Sequence, residues 1–407
     1  MLFNPVKDSS AYHSKGSGGI MKKVVFVIRR LANAGTEQSL IKLINSIENY
    51  DITIMLARED KTLLPQISKN VNVIELYEQG LGLNMGLYLK RSLKKAEFTK
   101  FLYMSFQLYN YVKRDQFEQL NEHLLTSYKI QKEKYDLAIA FDGGSRNTLT
   151  PFVLEKVEAK KKIMWIHEDY SKVPEKEIIA GHKIFPKFDQ IFCVSKAAKE
   201  KFSEIYPELE EKITHFYPIF DTREYHEKAE QIEDTFNYEG TKILTVGRLE
   251  DEKGQERLPG IVSRLKKEGY QFKWFLIGDG QLRKTLEKQI KELKIEDYLV
   301  LLGKRANPFP YYKNCDIYVQ PSKQEGYCLS MAEANSFKKP LIATDFITSK
   351  EFIVHGVDGL IADNNSQSIY KNIKKILEDE PLRIRFSENS QNKIVDTYSE
   401  MTKFYSL

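Results

Sequence analysis

Cysteine is scarce: the chain holds three in 407 residues, Cys193, Cys315 and Cys328, with no Cys-x-x-Cys spacing. An odd and scattered set excludes a disulfide framework and a zinc ribbon, and it fits a reducing cytosol. Long hydrophobic runs are missing as well. No stretch approaches the roughly 18 uncharged residues of a spanning helix, and the N-terminus lacks the charged-then-apolar order of a signal peptide. Charge of one sign is not in excess. The 62 Lys and Arg against 57 Asp and Glu leave a formal +5, too little for a dedicated nucleic-acid coat. No Asp-x-Asp tripeptide occurs and no His or carboxylate cluster has metal-ligand spacing, so neither a metal nor a bound cofactor is expected.

What is present is globular: 42% hydrophobic, 29% charged and 12% aromatic residues over a length suited to two or three domains. Residues 1–20 are turn-rich and polar and read as an appended leader or a disordered segment; Met21-Lys22-Lys23 then opens a strand. From there short apolar runs alternate with helical stretches, as in a parallel sheet covered on both faces. A first block has strand candidates at Val24–Ile28, Ile52–Leu56, Val71–Leu76, Leu137–Phe141, Ile163–Ile166 and Ile191–Val194. A second has Ile243–Val246, Phe272–Ile277, Val300–Leu302, Ile317–Gln320, Leu341–Ala343 and Gly359–Ile361. The expected fold class is therefore α/β, two facing Rossmann-like domains with a cleft between them, over 21–218 and 219–395. Residues 396–407 are expected to form a helix that crosses back to the first domain.

One segment breaks the pattern. Residues 81–132 hold no strand candidate, and Lys90, Arg91, Lys94, Lys95, Lys100, Lys113 and Arg114 are interleaved with Phe98, Phe101, Tyr103, Phe106 and Tyr109. That mixture suits either an interfacial helix on anionic lipid or a solvated excursion with its aromatics turned inward. It does not by itself make a nucleic-acid stacking platform.

Ligands of such sheets bind beyond the carboxyl ends of strands, and the informative motifs lie there. After Ile317–Gln320 comes Glu325-Gly326-Tyr327-Cys328-Leu329-Ser330-Met331-Ala332-Glu333, two carboxylates eight residues apart around a helix start. The early amides can hold a phosphate, leaving one carboxylate for a sugar and the other for a ribose. A turn-capping Glu325 and an exposed helical Glu333 would explain the pair equally well. After Ile243–Val246 comes Gly247-Arg248-Leu249-Glu250-Asp251-Glu252-Lys253-Gly254, where an Arg fork and a Lys five residues on can neutralise a diphosphate without metal. Gly278-Asp279-Gly280 ends a further strand, where close backbone approach to a ligand would demand glycine.

Taken together, the Gly-Arg-Leu-x3-Lys-Gly run, the Gly-Asp-Gly turn, Pro321-Ser322 before the E-x7-E run, and Val354-His355-Gly356-Val357-Asp358-Gly359-Leu360 resemble retaining glycosyltransferases of family 4, with the GT-B fold. The first half is similar more loosely, through Asn33-Ala34-Gly35-Thr36-Glu37 and Trp165-Ile166-His167-Glu168-Asp169. The resemblance implies that Arg248 and Lys253 hold the donor diphosphate and stabilise it as it leaves. It implies further that Glu325 meets the transferred sugar, Glu333 the ribose, the amides of Leu329 and Ser330 a phosphate, and His167 the donor sugar from the first domain. Gly35, Gly247, Gly278, Lys304, Gly326 and Tyr327 complete the donor-binding set, and base-reading groups are expected around Gly303 to Pro308. The chain departs from the family at Ala34-Gly35, where a Gly-Gly pair is usual, and at Tyr217-Pro218, where Asn-Pro is usual. Cys328 is read as a packed thiol with no catalytic role.

The expected activity is metal-independent retaining transfer of a sugar, UDP-linked first among the candidates, to a hydroxyl of a glycan or lipid-linked glycan acceptor in bacterial cell-surface polysaccharide or glycolipid assembly. A nucleotide-sugar epimerase of similar fold, a non-catalytic partner subunit and a generic nucleotide-binding module are the alternatives. The expected location is cytoplasmic, with peripheral contact at the inner face of the cell membrane if 81–132 binds lipid. No nucleic-acid partner is expected.

Overall fold

The computed structural model describes residues 21–32, 34–76, 130–145, 147–230, 238–390 and 397–407, together with Phe236 and some residues between 99 and 125. Two parallel sheets organise them. The first contains β1 (Lys22–Ile28), β2 (Tyr50–Leu56), β3 (Asn72–Glu75), β4 (Lys134–Ala140), β5 (Glu158–Ile166), β6 (Gln190–Cys193) and β7 (Ile213–His215), in the order β3-β2-β1-β4-β5-β6-β7. The second contains β8 (Thr241–Val246), β9 (Phe272–Ile277), β10 (Leu299–Gly303), β11 (Ile317–Gln320), β12 (Leu341–Thr344) and β13 (Gly359–Ala362), in the order β10-β9-β8-β11-β12-β13. The strand order reverses between β1 and β4 in one sheet and between β8 and β11 in the other, so each domain has a crevice at its strand ends.

Strands buried on both faces carry unbroken apolar runs rather than alternation. Val24, Val25, Phe26 and Val27 are all fully buried in β1, and Trp274, Phe275, Leu276 and Ile277 in β9 are nearly so. All twelve strands expected from the sequence are present, with ends moved by at most five residues. The seventh strand of the first sheet, β7, has only three residues behind the turn Pro207–Lys212, too short to leave a periodic signal. The charged stretch after Pro218, whose composition reads as a linker between domains, contains a helix, Thr222–Ala229, started by Asp221, whose carboxylate accepts from Arg223 N–H at 2.8 Å. Tyr225 of that helix stacks on Phe309 at 4.4 Å between ring centres.

The domains share packing. One hydrophobic cluster runs from Phe26 and Ile28 of the first sheet through Phe220 and Tyr225 to Leu244 and Tyr318 of the second. The last helix, Met401–Tyr405, lies on the first domain: Phe404 stacks on Phe26 at 6.4 Å, and the Lys161 ammonium donates to Leu407 O at 2.6 Å. Most of 81–132 lies outside the described residues. Among those described there, Leu102, Phe106 and Tyr109 are exposed, whereas Asn121 and Leu125 are buried. No helix among the described residues is long and apolar enough to cross a membrane.

Candidate active site

The loops leaving β8 and β11 meet at the switch point of the second sheet. Lys253 reaches from the first to Glu325 in the second, its ammonium 2.8 and 2.9 Å from the two carboxylate oxygens. Both side chains are mostly buried, at 18% and 9% exposure. Burial pulls the Lys253 ammonium down, but Glu325 and the nearby Cys328 and Glu252 outweigh it, so Lys253 stays above the usual lysine value. Glu325 also accepts from the Ser322 hydroxyl at 2.7 Å. The Glu325 carboxylate is thus fixed by a cation and by its own turn at once. Arg248 lies on the same loop, half exposed, paired with Glu252 and 3.7 Å from Glu250.

Helix Leu329–Ser336 begins directly after this turn, with Cys328 in the left-handed region at φ 70°. First-turn amides have no partner within a helix, and no side chain caps them here, so the Leu329 and Ser330 amides are available to an anion. The Ser330 hydroxyl donates to Gln320 Oε1 at 3.2 Å. Cys328 is buried, and burial pushes its thiol well above the ordinary value, as befits a packed rather than a reactive group.

One turn into the helix, Glu333 accepts from the Tyr312 hydroxyl at 2.8 Å. Burial raises its pKa against the opposing influence of Lys42 and Tyr312, so it is not the freely solvated helical acid that the spacing also allowed. Lys42 was missed by sequence reasoning. It sits on the first-domain helix Gly35–Ser46, donates to the Tyr225 hydroxyl at 2.6 Å and lies 4.1 Å from that ring's centre. Nothing in the local pattern around position 42 marks it, because the contact exists only once the two domains face each other.

His167 closes the cleft from the other side, just past β5. It is partly exposed as a residue, packs on Phe141 at 4.8 Å, and has its Nε2 buried without a partner among the described residues. Burial lowers its pKa to about 4, against a smaller raising effect of the Phe141 backbone, so the ring is neutral at physiological pH. The neighbouring Asp169 serves the local backbone instead, accepting from Ser171 N–H at 2.9 Å and starting a short turn.

The two walls touch at Gly326. A Cβ there would collide with the His167 carbonyl, and the Gly326 carbonyl accepts from Ser195 Oγ at 3.2 Å. Glycine is therefore required by the approach of one domain to the other. Tyr327 packs on Tyr217 and Phe352. Gly35 faces Leu329 across the cleft, but a Cβ at Gly35 would make only ordinary contact, at 3.8 Å. At Gly278, with φ 142°, a Cβ would strike Gly247 O. The close approach seen at Gly278 is thus between two backbone loops. Gly247 is held in this contact by its own N–H, which donates to Ile277 O at 2.9 Å. Lys304 is exposed after β10 and acts on Asp60 of the first domain; among the described residues no hydrogen bond or ion pair joins it to the Lys253–Glu325 group. No group of three or more His, Cys, Asp or Glu among the described residues is arranged to hold a metal ion.

Two facing Rossmann-like domains with the site in the cleft between them define the GT-B fold. Within the chain, residues 227–393 match the family described as "Glycosyl transferases group 1". An Anabaena protein, Alr3699/HepE, solved in complex with UDP and glucose, superposes with a TM-score of 0.70 at 19% identity, covering 95% of this chain and 99% of that one. The N-acetylgalactosamine-N,N'-diacetylbacillosaminyl-diphospho-undecaprenol 4-alpha-N-acetylgalactosaminyltransferase of Campylobacter jejuni is 26% identical over 236 residues, 57% of this chain and 62% of that protein. The capsular polysaccharide biosynthesis glycosyltransferase CapM of Staphylococcus aureus is 26% identical over 156 residues, 38% of this chain and 41% of its own length.

Proposed function

We propose that the protein is a metal-independent retaining glycosyltransferase of family 4 that moves a sugar from a nucleoside-diphosphate sugar, UDP-linked, to a hydroxyl of a glycan in bacterial cell-surface polysaccharide or glycolipid assembly. The observation that carries this reading is the buried Lys253–Glu325 pair beside the open N-terminus of helix Leu329–Ser336, with Arg248 on one flank and Glu333 one turn deeper. In that arrangement the helix terminus, Arg248 and Lys253 supply positive charge where a diphosphate departs. Glu325 meets the sugar hydroxyls, and Glu333 accepts from the ribose hydroxyls.

The step breaks the bond between sugar C1 and the β-phosphate oxygen, and the electron pair leaves with the nucleotide. The acceptor oxygen bonds to C1 on the face just vacated, and its proton passes to the departing phosphate oxygen. Fixed cations that stabilise developing charge lower the barrier without a separate proton-transfer base. Neutral His167 offers Nε2 to the donor sugar from the first domain and adds no competing positive charge.

The UDP bound in the Anabaena neighbour supports a UDP-sugar donor, and the diphospho-undecaprenol in the Campylobacter relative's name supports a lipid-linked acceptor. Contact with the inner face of the membrane through 81–132 is supported by exposed Leu102, Phe106 and Tyr109, whose spacing places them on one side of a helix. A panel of UDP-sugars with a lipid-linked glycan tests the reaction. UDP release that needs the acceptor, survives EDTA and yields a product with the donor's anomeric configuration is expected. Acceptor-independent conversion of the sugar would favour the epimerase reading instead.

A further inference from the structure

The first domain carries a charged cluster that donor chemistry does not use. Strand register places it: Ile28 pairs with Leu56 and Val27 with Ala140. Backbone bonds from Ala57 N–H to Ile28 O and from Phe141 N–H to Val27 O carry the pairing past the strand ends. Arg29 and Arg30 after β1, Arg58 after β2 and Asp142 after β4 therefore emerge side by side, at the point where the strand order of the first sheet reverses.

The nearby carboxylates are already engaged. Asp142 lies 3.3 Å from Arg29, and Glu37 lies 3.5 Å from Arg30. Asp60 accepts from the Thr62 hydroxyl at 2.7 Å and from its N–H at 3.1 Å. Glu168 is exposed at one side, and desolvation with Asp142 and Glu177 raises its pKa against the opposing pull of Arg29. Arg58 is partly buried and has no hydrogen bond or ion pair among the described residues. Burial, with Arg29 and Arg30 close by, lowers its pKa. A half-buried guanidinium near two others, opposed only by Asp142, which already pairs with Arg29, is unfavourable, and an anion bound among them would relieve it. The cluster opens on the cleft: Asp60 feels Lys304, and Glu168 feels Glu252, both from the second domain. It thus lies on the wall opposite Arg248 and Lys253.

We propose that Arg29, Arg30 and Arg58 form an anion subsite that holds a phosphoryl group of the acceptor beside the hydroxyl that receives the sugar. Planar guanidinium forks set side by side at the strand ends match the oxygens of a phosphate or diphosphate. That the occupant is an acceptor rests on the reading above; the affinity for the anion does not.

The full chain is titrated with inorganic pyrophosphate, first alone and then saturated with whichever of UDP, GDP and ADP it binds. Wild-type protein binds pyrophosphate with the nucleotide in place. Arg58→Gln and Arg30→Gln each weaken that binding by about tenfold or more while leaving nucleotide affinity unchanged, and Arg58→Lys recovers part of the loss. Should Arg58→Gln fail to fold, Arg30→Gln carries the same comparison. No pyrophosphate binding by wild type, or binding that neither substitution weakens, overturns the subsite. Pyrophosphate that the nucleotide displaces assigns the anion to the donor site and overturns it as well. If no nucleotide binds, the transferase reading fails, and the comparison of nucleotide-free wild type with the two variants still decides the subsite.

Discussion

Lys253 and Glu325 are held mostly out of water, so each needs the other. Replacing Lys253 by Met leaves a desolvated carboxylate with only hydroxyl and amide partners, and should cost about 3 kcal/mol of stability in chemical denaturation. The Glu325→Gln change should cost less stability and still abolish transfer. His167 gives a pH signature. Its folded pKa of about 4 lies below the ordinary value of 6.5, so the unfolded chain binds more protons between those limits. The resulting stability is fully present above pH 6.5 and lost as pH falls toward 4, by roughly 3 kcal/mol. Thermal melts across that window should show a shallower acid loss in His167→Gln than in wild type; equal slopes would mean that His167 does not set the acid limit. Arg248, Lys253, Glu325 and Glu333 stand out in the sequence because they lie in the motifs that follow the strands β8 and β11. Lys42, Tyr312 and Ser195 were not, because their contacts form between segments far apart in the chain.

Among the elements, the loop before helix Leu329–Ser336 is the most constrained. Gly326 sits against the His167 carbonyl, so Gly326→Ala must push the two walls of the cleft apart. A shift of about 1 Å at the reacting centre is expected to lower kcat by roughly 100-fold with little change in nucleotide affinity. Wild-type kcat in that variant would mean that the closed contact is not the working one. The C-terminal helix carries a comparable load. Met401 and Phe404 are buried, and the Tyr405 hydroxyl accepts from Glu48 N–H at 2.9 Å. Removing Tyr398 to Leu407 should destabilise the protein by about 3 kcal/mol or more and lower activity with it; a fully active truncation would show the helix to be dispensable. Strands read well from sequence because burial on both faces gives them continuous apolar runs. Three-residue β7 did not, and helix Thr222–Ala229 was hidden by a charged surface that resembles a linker.

At the scale of the molecule, the two domains are joined by more than a cleft. Glu351 of the second accepts from Ala197 N–H at the start of a first-domain helix and from the Tyr217 hydroxyl, at 2.8 and 2.7 Å. Lys42 reaches the other way, to Tyr225. Any opening of the cleft must break these bonds and any closing remake them. The two-domain architecture was legible because two blocks of alternating strands and helices repeat; how the domains meet was not, since it depends on one glycine and a few distant side chains. We read the second-domain wall as a nucleotide-diphosphate site that works without metal. Calorimetric titration with UDP, GDP and ADP, with and without EDTA, on wild type, Arg248→Ala and Glu333→Ala puts that reading to the proof. One nucleotide is expected to bind the wild type, unaffected by EDTA, with both substitutions abolishing the binding; no binding by any nucleotide, or binding lost on chelation, would contradict it.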